Sequence, residues 1–162
     1  MRLAESNTLK SSRSVTFDWL RAWPLWLAAL WWGSLTALGF WFVPTLFAQM
    51  PTKALAGNAA AALFGVQSTV AVVLGAGLLL ATRARASDSS VAETHNARGF
   101  VLAGMLLALL LEFAVAPRIV ARINLPLWHT LGTVMLLVQW ACSAVVFWRL
   151  VRPAAAISLS QD

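Results

Sequence analysis

The sequence predicts an all-α integral membrane protein, an antiparallel four-helix bundle with both termini on the cytoplasmic side (N-in/C-in). Three observations predict it. Sixty per cent of the chain is apolar and 11% charged, against about 25% charged in a soluble domain, so the chain has too little polar surface to cover itself in water. The apolar residues gather into four runs, each nearly or wholly free of charge. The twelve Lys and Arg residues flank those runs instead of forming a stripe with interleaved aromatics. That placement marks membrane topology and argues against nucleic acid, despite a net charge of +6 and a pI near 11.4.

At 162 residues the chain reads as one domain. Residues 1–20 are polar and basic, without apolar periodicity, and read as a flexible cytoplasmic tail. Asp18 is placed to cap or open the first helix. The transmembrane domain is expected over residues 21–150, with spans at about 24–47, 55–82, 99–116 and 126–148, and a second cytoplasmic tail over 151–162. The first apolar run is far longer than a secretory h-region, so it reads as a retained anchor.

The first span carries no charge between Arg21 and Lys53. At ~1.5 Å per residue it reaches about 36 Å, enough to cross a ~30 Å hydrocarbon layer with tilt. Trp19, Trp23 and Trp26 collect at its start, as aromatics do at headgroup depth. Ala29, Gly33 and Ala37 give one smooth face for close helix approach, and Pro44 is expected to bend or end the helix. Thr52 is a candidate cap for the second span, where Ala61, Gly65 and Thr69 form another small-residue face.

Residues 86–98 read as a hydrophilic loop holding His95. The third span is short, with Pro117 marking its end through the restriction proline places on the preceding residue. Asn124 and Pro126 are expected to start the fourth span, along which Trp128, Trp140 and Trp148 are spread. Nine basic residues fall on the side of the two termini and three, Lys53, Arg118 and Arg122, on the other. The positive-inside rule therefore places both ends in the cytoplasm.

Chemistry, if the chain has any, is expected around Glu112 and His129. An ionised carboxylate facing lipid costs several kcal/mol, so Glu112 is expected to point into the bundle. His129, near the start of the next span, is its natural partner by depth. Such an acid–imidazole pair would move protons or hold a cation; the plainer reading is a buried clamp that fixes helix register. Arg118 and Arg122 complete the polar group, as interface arginines or as a seat for lipid headgroups or a small anion. Gln67, Gln139 and Ser143 form an intramembrane polar stripe, with Gln67 expected to hydrogen-bond Gln139. Met135, Cys142 and His129 are the available soft or borderline metal ligands, a set that more often marks packing. Cys142 is the only cysteine, so no intrachain disulfide forms. His95 and His129 are expected on opposite sides of the bilayer, which denies one chain a bis-histidine haem.

Several segments together resemble a known family. Leu46-Phe47, Ala56-Gly57 and Leu63-Phe64, then Ala116-Pro117-Arg118, then Trp128-His129 with Gly132-Thr133, are similar to the transmembrane protein 205-like family, whose bacterial branch is a domain of unknown function (number 4149). The resemblance covers about residues 25 to 150 and implies four transmembrane helices with no assigned reaction. In architecture it is distantly similar to copper-resistance D-like membrane proteins and to four-helix protoporphyrinogen oxidases.

The function expected is that of a non-enzymatic structural or accessory protein of the inner (plasma) membrane, multi-pass and without a cofactor. Its partners would be the lipid bilayer and a membrane protein or second copy, and not nucleic acid. The alternative is a transporter or ion- or metal-handling protein with an outward-facing Glu112/His129 site.

Overall fold

The structure, a computed structural model, describes residues 22–85 and 91–159. They form four helices, with no strand among the described residues. α1 is Ala22–Gln49 and α2 is Lys53–Arg85. α3 covers residues 91–120 as three continuous pieces, Val91–Leu110, a π-helical turn at Leu111–Val115, and Ala116–Val120. α4 is Leu125–Leu159. Each holds a segment long and apolar enough to cross a membrane, with mean hydropathy between 1.4 and 2.3. The expectations for the N-terminal tail, Asp18 and Trp19 lie outside the described residues.

Successive helices run antiparallel and pack as a ring. α1 meets α2 where Gln67 reaches Ser34, and meets α4 where Trp140 reaches Thr36. α3 meets α2 where Ser68 reaches the Ala108 carbonyl, and meets α4 at Gly132 against Val115. α1 and α3 therefore stand on a diagonal. Trp31 crosses that diagonal from α1 to Gly104 of α3. The core around it is Ala28, Leu35, Ala71, Leu78, Val101, Ala108 and Val146.

Two sequence expectations for the helix faces divide here. Of the Ala61, Gly65 and Thr69 face of α2, Gly65 receives α3 while Thr69 is exposed. The Ala29, Gly33 and Ala37 face of α1 is not used, and a Cβ added at Gly33 would meet nothing within 4 Å. The physical reason is the hole at Gly104. It admits the Trp31 ring, so α1 docks through Trp31, Leu35 and Leu38, with Ala28 beside them, and leaves Gly33 exposed.

Helix ends also differ from the expected spans. Neither proline stops its helix. A π turn at Leu38–Phe42 ends two residues before Pro44, and the one at Leu111–Val115 ends two residues before Pro117. Proline lacks the N–H and clashes with the carbonyl one turn back; widening the turn by one residue relieves both faults and lets the helix continue. α1 thus reaches Gln49 and the third helix reaches Val120. α3 also starts at Val91, inside the expected 86–98 loop. From there to Arg98 the chain has no Gly or Pro and carries Ala92, Glu93 and Ala97, all compatible with helix. At the other end, α4 continues through Pro153 to Leu159, beyond the expected end of its span.

The connections follow the sequence more closely. The Thr52 hydroxyl accepts from Leu55 N–H at 3.3 Å, capping α2. α3 ends in a Schellman-type closure: Ile123 N–H donates to the Arg118 carbonyl and Arg122 N–H to that of Ile119, both at 3.0 Å. Arg122 takes the left-handed position at φ 55°, where glycine is the usual residue. Asn124 follows at φ 42°, and its carbonyl accepts from Trp128 N–H at 3.2 Å to open α4.

Candidate polar site in the bundle

Polar side chains collect in one layer near the middle of the helices. Gln67 Nε2 donates to Ser34 Oγ at 3.0 Å, and Ser34 in turn donates to the Trp31 carbonyl at 2.9 Å. Trp140 Nε1 donates to Thr36 Oγ1 at 2.9 Å, while Thr36 donates to the Trp32 carbonyl at 2.8 Å. Ser68 Oγ donates to the Ala108 carbonyl at 3.2 Å. Each hydroxyl that bonds along its own helix also leaves a lone pair for a neighbour, which is how Ser34 and Thr36 join helices without disturbing α1.

The expected Gln67–Gln139 bond is not formed. Gln67 is taken by Ser34, and Gln139, 2% exposed, leaves its Nε2 unpaired. Trp31 and Trp32 each carry a buried indole N–H without a partner as well. Ser143 sits in the same layer but donates within α4, to the Trp140 carbonyl at 2.8 Å. Ser34, Thr36 and Trp140 are the members that sequence reasoning missed. Their signal was there, since Ser34 and Thr36 are hydroxyls in an otherwise apolar run.

Glu112 lies one helical turn beyond Ala108, inside the π turn, and is half-buried. Its carboxylate fills the space beside Gly65 of α2, with Oε1 3.3 Å and Oε2 3.5 Å from where a Gly65 Cβ would stand. Leu111 and Val115, on either side of it in sequence, turn instead toward Gly132 of α4. The acid therefore belongs to the α2–α3 seam.

His129 does not join it. The imidazole is exposed, and no hydrogen bond or ion pair links it to Glu112 among the described residues. The reason is depth. Because α3 runs on past Pro117, the first turn of α4 lies against the end of α3, and Arg118 stacks over the Trp128 ring at 4.6 Å. His129 is level with that contact, and Glu112 lies more than a turn deeper. Arg118 also donates through Nη1 to the Ala114 carbonyl, and Arg122 is held in the elbow. So the two arginines and His129 form the rim at one end of the bundle, and Glu112 stands apart from all three.

Cys142 is buried on α4 beside Gly104, and Met135 is half-buried about two turns away. Among the described residues no three His, Cys, Asp or Glu side chains come together.

The same helices carry the family signature. A family profile described as a domain of unknown function (DUF4149) matches residues 26–124. The chain belongs to that family. The match covers α1, α2, α3 and the elbow, and hence Ser34, Thr36, Gln67, Ser68 and Glu112, while Trp140 and Gln139 fall beyond it. It names the DUF4149 domain alone, without support for the wider transmembrane protein 205-like label. Neither a curated protein nor a solved structure matches this DUF4149 chain.

Proposed function

We propose that this small membrane protein is a non-enzymatic structural or accessory component, in which the polar layer fixes the register of the helices. The observation that carries the reading is the set of three interhelical hydrogen bonds, Gln67 to Ser34, Trp140 to Thr36 and Ser68 to the Ala108 carbonyl. They join α2 to α1, α4 to α1 and α2 to α3, so all four helices are linked at one depth. In lipid there is no hydrophobic force to choose among helix registers, and such bonds, at about 0.6–2 kcal/mol each, supply the choice. An accessory role also fits the outward face of α1, where Trp32, Gly33, Thr36, Ala37, Phe40 and Trp41 line an open groove of about 550 Å³. A helix of another membrane protein, or of a second copy, would pack there.

One observation favours a second reading, ion or proton handling. Glu112 is a carboxylate inside a membrane-spanning helix with no basic group bonded to it among the described residues, a placement of the kind that marks ion and proton pathways. Glu112→Gln separates the two. Normal accumulation and folding together with a lost ion or copper tolerance would favour ion handling. Lost assembly or accumulation without a solute-specific phenotype supports the structural role. Residence in the bacterial inner membrane with both termini inside is part of the same proposal and rests on the distribution of basic residues.

A further inference from the structure

The end of the bundle near the α2–α3 connection holds a feature that the polar layer does not use. Between α2 and α3 lies an open groove of about 460 Å³, walled by Ala76, Leu79, Leu80 and Leu102 and closed at one end by Arg83 and Arg98. Leu80 and Leu102 face outward, as acyl-chain contacts would. Arg98 is held in place: from α3 its Nε donates to Thr82 Oγ1 at 3.2 Å and its Nη2 to the Thr82 carbonyl at 2.9 Å. A guanidinium has five N–H donors, so three remain for another ligand. Arg83, on the next residue of α2, is exposed and has no hydrogen bond or ion pair among the described residues.

We propose that this groove is a binding site for one anionic phospholipid, with its phosphate between Arg83 and Arg98 and an acyl chain along Leu79, Leu80 and Leu102. Charge complementarity selects the occupant. Two guanidiniums face the groove without a bonded acid among the described residues, and a headgroup of net negative charge balances them better than a zwitterionic one. The planar fork of Arg98 matches two phosphate oxygens, and its bonds to Thr82 orient it before the lipid arrives. The apolar walls distinguish the site from a seat for a free anion, because they place greasy surface where an acyl chain, and not water, would lie.

The test is native mass spectrometry of the full chain released from bilayers of phosphatidylglycerol and phosphatidylethanolamine in equal amounts. The wild-type protein is expected to retain phosphatidylglycerol in preference. Arg83→Gln is expected to lower that retention about fivefold, the scale of one basic residue at a membrane surface. Ala76→Phe, which fills the floor of the groove and leaves both charges, is expected to lower it as well. Arg152→Gln removes a charge that stacks on Trp148 outside the groove and should leave retention unchanged. Arg98→Gln also removes the tie to Thr82, so Arg98→Lys is measured beside it, and Arg83→Gln decides if both misfold. Equal loss in Arg152→Gln would reduce the effect to general surface charge and overturn the proposal. Unchanged retention in Arg83→Gln or Ala76→Phe would overturn it too, as would displacement of the lipid by millimolar inorganic phosphate.

Discussion

The Glu112 carboxylate occupies the space left by the side chain that Gly65 lacks, with Oε1 3.3 Å from the position of a Gly65 Cβ. One helix thus gives up a side chain so that the next can keep an acid between them. A methyl group at position 65 would be tight, yet its neighbour is the end of a flexible side chain that can swing away. Gly65→Ala is therefore expected to cost less than about 1 kcal/mol in detergent unfolding, and Gly65→Leu to cost about 1–3 kcal/mol by overpacking. Gly65→Leu combined with Glu112→Ala should recover part of that loss. Strict additivity of the two changes would show that they do not share this space.

Gly104 and Trp31 make a stiffer pair. A Cβ at Gly104 would stand 2.8 Å from both Cη2 and Cζ2 of Trp31, a ring that is 0% exposed. An indole inside a packed core cannot move aside as a carboxylate can. Gly104→Ala is expected to destabilise the bundle by about 1–3 kcal/mol, more than Gly65→Ala does. Trp31→Phe in the same chain should restore part of it by opening space. Thermal unfolding in detergent of the two single variants and the double variant measures both effects.

These two pairs show where the sequence could be read and where it could not. Four helices follow from uninterrupted apolar runs and need only length and hydropathy, which a sequence carries directly. Close approach at Gly65 was also legible from its small-residue face, though Thr69 of that face is exposed. The choice of Trp31 over Gly33 as the inward side of α1 was not, because it depends on a hole at Gly104, two helices away. The separation of Glu112 from His129 was hidden for a related reason. Pro117 read as a stop, and the π turn that lets α3 pass through it shifted every depth counted from that stop. Gln67 does bond to another helix, but to Ser34 of α1 and not to the expected Gln139 of α4.

The Trp140–Thr36 bond gives a measurable link between α4 and α1. Thr36→Val keeps the shape and removes the acceptor for Trp140 Nε1. The expected cost is about 0.6–2 kcal/mol, and Trp140→Phe added to it should bring little further loss from the hydrogen bond. A double-mutant cycle with Thr36→Val and Trp140→Phe isolates the coupling from the change in ring packing. A coupling of zero would remove this joint from the register argument.

Arg122 closes α3 in a conformation that suits glycine. At φ 55° its Cβ crowds the backbone, at roughly 1–2 kcal/mol for a residue with a side chain. Arg122→Gly should keep or raise stability, up to about 1 kcal/mol, because relief of that crowding outweighs the freedom gained by the unfolded chain. Arg122→Val, β-branched and ill suited to positive φ, should lower it. The ranking Gly, Arg, Val in thermal unfolding is the expected result, and Val above Gly would contradict a left-handed closure at this residue.

Orientation in the membrane gives the last prediction. Lys53 opens α2 at the end of the bundle that also holds Arg118 and Arg122, and Arg152 stands near the opposite end with Arg83 and Arg98. Counted along the sequence, nine basic residues flank the helix ends expected on the Arg152 side and three those expected on the Lys53 side. Positive segments are retained on the cytoplasmic face, and a threefold excess in short segments next to the spans is the setting in which the rule holds best. The single cysteine is buried on α4, so a cysteine-free background is made with Cys142→Ala, and Lys53→Cys and Arg152→Cys are then introduced one at a time. In intact cells an impermeant maleimide should label the Lys53→Cys protein and spare the Arg152→Cys protein until the membrane is opened. The reverse pattern would invert the molecule, and labelling of both from outside would break the even number of crossings that four helices require.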